Sequence, residues 1–183
     1  MKKLTINRKD LKNNLKILRK ILNSEGKDDV GNLPKIIAVV KGNGMGLDLI
    51  QYSKFLVNNG IEILAVANIE EAIQLRQAGI KEEILMLTPV LKEKEILKLV
   101  ENKITLTISS KEQIENIEKV AKDNEEIRAH IKIDTGFGRY GFLYDNFKEI
   151  LDAFKMCDKI KIVRYLYTFC KTTRWEIYQE AIW

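Results

Sequence analysis

The chain holds a single histidine, His130, and only two cysteines, Cys157 and Cys170, among 183 residues. Two cysteines at this spacing make neither a disulfide framework nor a metal motif, and such sparing use fits a reducing cytoplasm. No apolar run is long enough to cross a bilayer, so no membrane partner is expected. The N-terminus is basic but has no apolar block after it, so no secretory signal is expected. Low-complexity segments, internal linkers and short-period repeats are missing too. A nucleotide P-loop is excluded because its lysine must follow the glycines beside Ser or Thr, and here Lys41 precedes Gly42, Gly44 and Gly46. The dinucleotide pattern G-x-G-x-x-G fails as well, since Leu47 and Asp48 come next.

What is present is an ordinary soluble composition, 45% apolar and 31% charged, in a length that suits one domain with a substantial core. The net charge of +5 is spread over helix faces. The basic residues form no clustered patch lined with aromatics, so a nucleic-acid partner is not expected.

Apolar runs alternate with helical patterns. Leu11, Leu15, Leu18 and Leu22 form one stripe of a helix over 10–22. A break at 31–34 leads to a buried strand over 36–40, then a helix over 48–58 closed by Gly60. Strands follow at 63–67, 84–87, 104–108, 130–134 and 160–163. Helices intervene at 68–79, 92–100, 112–122 and 146–156. Asn68 reads as an N-cap with Glu71 as its capping-box partner, and Ser109 or Ser110 caps a later helix. Regular βα units imply parallel pairing through right-handed crossovers. The candidates are a doubly wound open sheet and a partial (β/α)8 barrel, with about five and a half units against the eight of a closed barrel.

Both folds place ligands at the C-terminal ends of the strands. Two segments there can carry chemistry. Lys41 directly follows a buried strand, where poor solvation disfavours its ammonium form. A partly neutral lysine forms a Schiff base with an aldehyde, and the alternating glycines let the backbone approach a ligand. The plainer alternative is a lysine that snorkels to solvent above a glycine turn. In the second segment, 130–141, Lys132 and Asp134 share one face of a strand and Ile131 and Ile133 the other. Arg139, on a glycine-rich loop, offers a forked donor for a carboxylate or oxyanion. A structural ion pair between Lys132 and Asp134 is the competing reading, and His130 reads as a core residue.

Together these segments resemble the alanine racemase family, whose members are pyridoxal 5'-phosphate (PLP) dependent barrel enzymes. The segment 41–46, K-G-N-G-M-G, is similar to the family's K-A-N-A-Y-G. Residues 130–141 resemble H-x-K-x-D-T-G-M-G-R-x-G, and 65–72 resemble V-A-x-x-E-E-A. The resemblance covers 4–163. It implies that Lys41 carries PLP as an internal aldimine and serves as one of two proton-transferring bases. It implies that Arg139 lies near the cofactor's phenolic oxygen and the substrate carboxylate, and that Lys132 matches a lysine carbamylated in some members. Asn43 and Asp134 are supporting residues. The implied reaction is interconversion of L- and D-alanine, or of a similar small amino acid, by a cytoplasmic homodimer. PLP would act as the electron sink while the protein supplies position and proton transfer. Met45 replaces a tyrosine that helps to hold the cofactor phosphate, Leu47 stands where a histidine is common, and Phe137 replaces the usual methionine.

Past Val163 the family pattern E-G-x-x-T-H-F is expected, and the chain departs from it. One allowed codon set for Arg164–Lys171, read one base later, gives Gly-Ile-Tyr-Thr-His-Phe-Ala. The expectation is therefore a PLP-binding barrel portion over 1–163 followed by a frame-shifted tail over 164–183. The later barrel strands, the β-rich C-terminal domain and the partner tyrosine that acts as second base would then be missing, and the fragment would racemise poorly or not at all. Two alternatives are a non-catalytic PLP-binding barrel module and an inactive interaction fragment that pairs through its open sheet edges.

Overall fold

The computed structural model describes residues 5–24, 34–122, 126–155 and 157–168. The chain break expected at 31–34 lies outside the described residues apart from Pro34. So do Met156 and the tail over 169–183, including Cys170.

Helix α1 (Arg8–Ser24) precedes strand β1 (Ile37–Val39). Then come α2 (Lys41–Met45), α3 (Leu49–Asn58), β2 (Ile63–Val66), α4 (Ile69–Gln77), β3 (Glu83–Met86) and α5 (Glu93–Glu101). The chain continues through β4 (Leu106–Ile108), α6 (Lys111–Val120), β5 (Ile127–Asp134), β6 (Phe142–Leu143), α7 (Phe147–Phe154) and β7 (Ile160–Thr168). Short polar side chains start several helices by accepting otherwise orphaned N–H groups. Asp48 accepts from Gln51, Asn68 from Glu71 and Ser110 from Gln113, so Ser110 is the cap, not Ser109.

Every strand pairing is parallel. A bridge between Leu85 and Thr105 joins β3 to the β4 side, giving the continuous order β1-β2-β3-β4-β5-β7. A doubly wound sheet reverses its strand order at a switch point. This order never reverses, so the sheet is part of a barrel wall. Strand β7 occupies one edge of β5 along its length, so β4 and the short β6 share the other edge, β6 continuing where β4 stops.

Alternation along the strands sorts the side chains into two layers. Leu64, Val66, Ile84, Met86, Leu106, Ile108, Ala129 and Ile131 join the core between sheet and helices, with Leu75, Ile96, Leu99, Ile114 and Ile117 opposite them. The other face lines the barrel. On β5 it is polar throughout, with Arg128, His130, Lys132 and Asp134 in a column. The expected division of Lys132 and Asp134 from Ile131 and Ile133 is therefore present, as is a buried His130.

At the base of the barrel, Glu83 receives Arg128 at 2.8 Å and Thr105 at 3.3 Å. His130 Nε2 and Arg164 Nη1 lie 3.6 and 3.8 Å from Oε1, the oxygen that also accepts from Thr105. His130 and the two guanidinium groups hold the Glu83 carboxyl below its ordinary range, against the opposing effect of burial. Strand β7 runs to Thr168, five residues past the end read from sequence. Its register slips at Val163, because Ile162 faces Ala129 and Arg164 faces His130.

Candidate functional site

The C-terminal ends of the parallel strands form one rim, and both chemistry-bearing segments lie on it. The first leaves β1 through Val40, whose N–H donates to Ala65 O at 2.8 Å. The next residues turn the opposite way from an ordinary helix. Gly42 to Gly46 all have positive φ, at 64°, 55°, 66°, 56° and 83°. The Gly44 and Gly46 N–H groups donate to Val40 O and Gly42 O at 2.9 and 3.0 Å, closing a left-handed turn. Such a turn costs about 1–2 kcal/mol for each residue with a Cβ. The three glycines escape that cost, and Asn43 is among the side chains that tolerate the conformation best.

Asn43 is fixed twice. Its Oδ1 accepts from Leu49 N at 3.0 Å, and its own N–H donates to Glu71 Oε1 at 2.9 Å. Glu71 is therefore not the capping-box partner that the sequence suggested. Asn68 makes its half of the motif, but the Glu71 carboxylate reaches across to the lysine turn. Glu71 is 8% exposed, and its second carboxylate oxygen has no hydrogen-bond partner among the described residues.

Lys41, at the head of this turn, is exposed. The poor solvation expected of it is not found. Val40 is buried, but β1 before it is only half-buried and Val39 is exposed, so the strand expected to be buried on both faces is the open edge of the wall; Lys41 follows it out over the rim.

The second segment is built around Asp134 and Tyr140. The Asp134 carboxylate accepts from Gly136 N at 3.0 Å and Gly138 N at 3.1 Å. These backbone donors hold its carboxyl below the usual range, Gly138 contributing most. Arg139 follows on this tethered loop, its guanidinium 5.1 Å from the Phe137 ring centre and 4.8 Å from that of Tyr140. Stacking on aromatic faces leaves the planar fork free to meet an anion. The Tyr140 hydroxyl donates to Leu87 O at 3.2 Å, spanning from the loop after β5 to the end of β3. Lys132, 2% exposed, donates from Nζ to Ile133 O at 2.7 Å and lies 6.0 Å from the Tyr140 ring centre. Burial pushes its pKa down, Asp134 opposes that, and Arg139 adds to it. A simple Lys132–Asp134 ion pair therefore does not describe the pair, since each makes its hydrogen bonds to backbone.

The structure thus gathers Lys132 and Arg139 around Tyr140, with Asp134 tethering their loop, and it holds Asn43, beside Lys41, through Glu71 on the same rim. Tyr140 and Glu71 were not picked out as site residues from sequence. Glu71 had a visible signal, one of two adjacent carboxylates opening a helix directly after a buried strand. Tyr140 lay inside the motif with nothing to separate it from its neighbours.

The family description "Alanine racemase, N-terminal domain" matches residues 6–176. The chain belongs to that family. Among curated relatives, the alanine racemase of Methanococcus maripaludis is 44% identical over 134 residues, which is 73% of this chain and 34% of that protein. The Streptococcus uberis alanine racemase is 38% identical over 114 residues, covering 62% of this chain and 30% of its own. Alanine racemase from Bacillus anthracis, solved with bound L-Ala-P, superposes with a TM-score of 0.77 at 28% identity, covering 95% of this chain and 43% of that one. The Clostridium difficile 630 enzyme gives 0.73 at 30% identity, covering 87% and 41%. This racemase-family chain spans about a third of the length of the curated relatives it matches.

The alanine racemase family is PLP-dependent, and the rim residues fit most of that group. Lys41 offers an exposed amine, and Arg139 a guanidinium fork on the same rim. A Cβ at Gly42 or Gly46 would meet nothing within 4 Å, so the space beside the lysine turn is open. Met45, 62% exposed, has no donor for the phosphate. No described helix is long and apolar enough to cross a membrane, and no described cluster of His, Cys, Asp or Glu could hold a metal ion.

Proposed function

We propose that this chain supplies the PLP-holding part of an alanine racemase, which interconverts L- and D-alanine in the cytoplasm as a homodimer. The observation that carries the proposal is Lys41, exposed on the C-terminal rim of a parallel barrel wall in a chain matched to that family over 6–176. PLP, when bound, supplies the electron sink that makes the substrate α-carbon acidic.

The residues divide the remaining work. Lys41 would hold the aldehyde carbon and pass a proton to or from the α-carbon on its own face. Arg139 would sit near the phenolic oxygen and receive the substrate carboxylate, its fork matching two oxygens. Lys132, a buried lysine pushed toward its neutral form beside Arg139, fits the position that some members carbamylate. A negative group formed there would pair with Arg139. Asp134 keeps the loop under Arg139 in place, and Asn43 keeps the turn beyond Lys41. Proton delivery on the opposite face falls to a second base, which the family takes from a partner's C-terminal domain.

The test uses the purified chain and PLP. Borohydride fixes the bound pyridoxyl group, and peptide mapping locates it. Label concentrated on Lys41 and lost in Lys41→Ala supports the reading. Label scattered over surface lysines, with Lys41 no better than the rest, sinks it.

A further inference from the structure

Glu71 is unusual among the carboxylates of this protein. It sits in the first turn of α4, where the helix dipole favours negative charge. It nevertheless forgoes the ordinary capping-box bond. One oxygen takes the Asn43 N–H at 2.9 Å. The other is sealed from solvent and has no partner among the described residues. A buried acceptor left unmatched is costly, so helix stability alone does not account for a glutamate here. The bond is also non-local, joining residues 28 apart in sequence. It lands in the middle of the run of positive φ between Lys41 and Gly46. Asn43 has a Cβ and holds a conformation that side chains disfavour. Its amide is anchored from α4, and its side chain from Leu49 at the start of α3.

We propose that Glu71 is the positioning residue for Lys41. By gripping the Asn43 amide it holds the turn left-handed, and the hand of the turn sets the direction in which the lysine leaves β1. The strand end and the start of α4 are thereby locked together, so the amine is presented at one place on the rim. The identity of the aldehyde that meets Lys41 rests on the reading proposed above. The grip of Glu71 on the turn does not.

The experiment compares the full chain with Glu71→Gln and Glu71→Met. Gln keeps an acceptor for Asn43. Met keeps the buried volume but offers none, so it removes the grip without emptying the site. In the first arm, without PLP, amide hydrogen exchange is followed at Asn43, Gly44 and Gly46, with Leu64 and Leu85 as references. The Met variant should exchange about tenfold faster at Asn43, matching the loss of a charge-assisted bond, and faster at Gly44 and Gly46. The references should be unchanged and the Gln variant close to the parent.

In the second arm, PLP and borohydride label each protein. Labelling of Lys41 relative to other lysines should fall about tenfold in the Met variant and recover in the Gln variant. A Met variant with parental exchange in the turn overturns the proposal. So does a loosened turn that still labels Lys41 at the parental rate. If the parent itself labels elsewhere, the cofactor reading fails, and the exchange arm still decides whether Glu71 holds the turn.

Discussion

Replacing Gly141 by alanine tests how closely the Arg139 loop is folded back on its own strand. Gly141 has φ +137°, and a Cβ there would stand 2.6 Å from Asp134 N, 2.9 Å from Ile133 C and 3.0 Å from Lys132 O. All three are backbone atoms of β5 and cannot rotate away. Gly136, on the same loop, also has positive φ, +99°, but a Cβ there meets nothing within 4 Å. Both alanine variants bear the conformational penalty, about 1–3 kcal/mol. Only Gly141→Ala adds the overpacking, about another 1–3 kcal/mol. For a chain of this size each kcal/mol lowers Tm by about 2–4 °C. Gly141→Ala should thus melt between about 2 and 12 °C below Gly136→Ala, by circular dichroism at matched concentration. The strand must also shift at Asp134, whose carboxylate tethers the loop, so labelling of Lys41 and anion binding at Arg139 are read on the same samples. Equal melting of the two variants would refute the close packing.

Lys132 is pushed below its ordinary pKa chiefly by burial. Between that lowered value and about 10.4 the unfolded chain binds more protons than the folded one, so stability rises with pH. The parent should gain on Lys132→Met in denaturant midpoint as pH is raised toward about 10, and a constant gap speaks against the burial. Asp134 has the depressed carboxyl, so its contribution is present above about pH 3.9 and is lost as pH falls through the lower folded value. Asp134→Asn should flatten that acid limb, measured by urea titration at several pH values. Cys157 is buried, and its thiol is pushed up to about 11, first by burial and then by Glu118. Iodoacetamide should modify it at neutral pH only in step with global unfolding, and fast modification of the native chain would contradict that placement.

The order of elements was readable because each strand is a short apolar run and each helix has a local stripe and cap. Ser110 and Asn68 announce their helices with one side chain each, and the periodicity of Lys132 and Asp134 assigns their face without any tertiary knowledge. The choice between barrel and open sheet was not readable locally. It depends on whether β4 lies beside β3, a contact made by Leu85 and Thr105. The hand of the 42–46 turn was half visible: the glycines signalled freedom, but Met45 and Asn43 gave no sign of joining the same conformation. The solvation of Lys41 does not match the sequence because β1, read as buried on both faces, is the half-buried edge of the wall. Glu71 was given a local partner because a capping box is a local pattern, whereas the bond it makes crosses between elements. Phe142 and Leu143 form β6 only because β4 ends early and leaves an edge of β5 to be filled.

The extra residue at Val163 decides which side of β7 is which. Side chains alternate along a strand, so one inserted residue exchanges inside for outside for everything beyond it. With the slip, Arg164 stands beside His130 and looks inward to Glu83. Were Val163 instead paired opposite His130, Arg164 would fall opposite Ile131 and turn its guanidinium toward the greasy layer under the helices, leaving Glu83 short of one counter-charge. One residue held out of the ladder at this point thus sets the facing of the outer half of that strand.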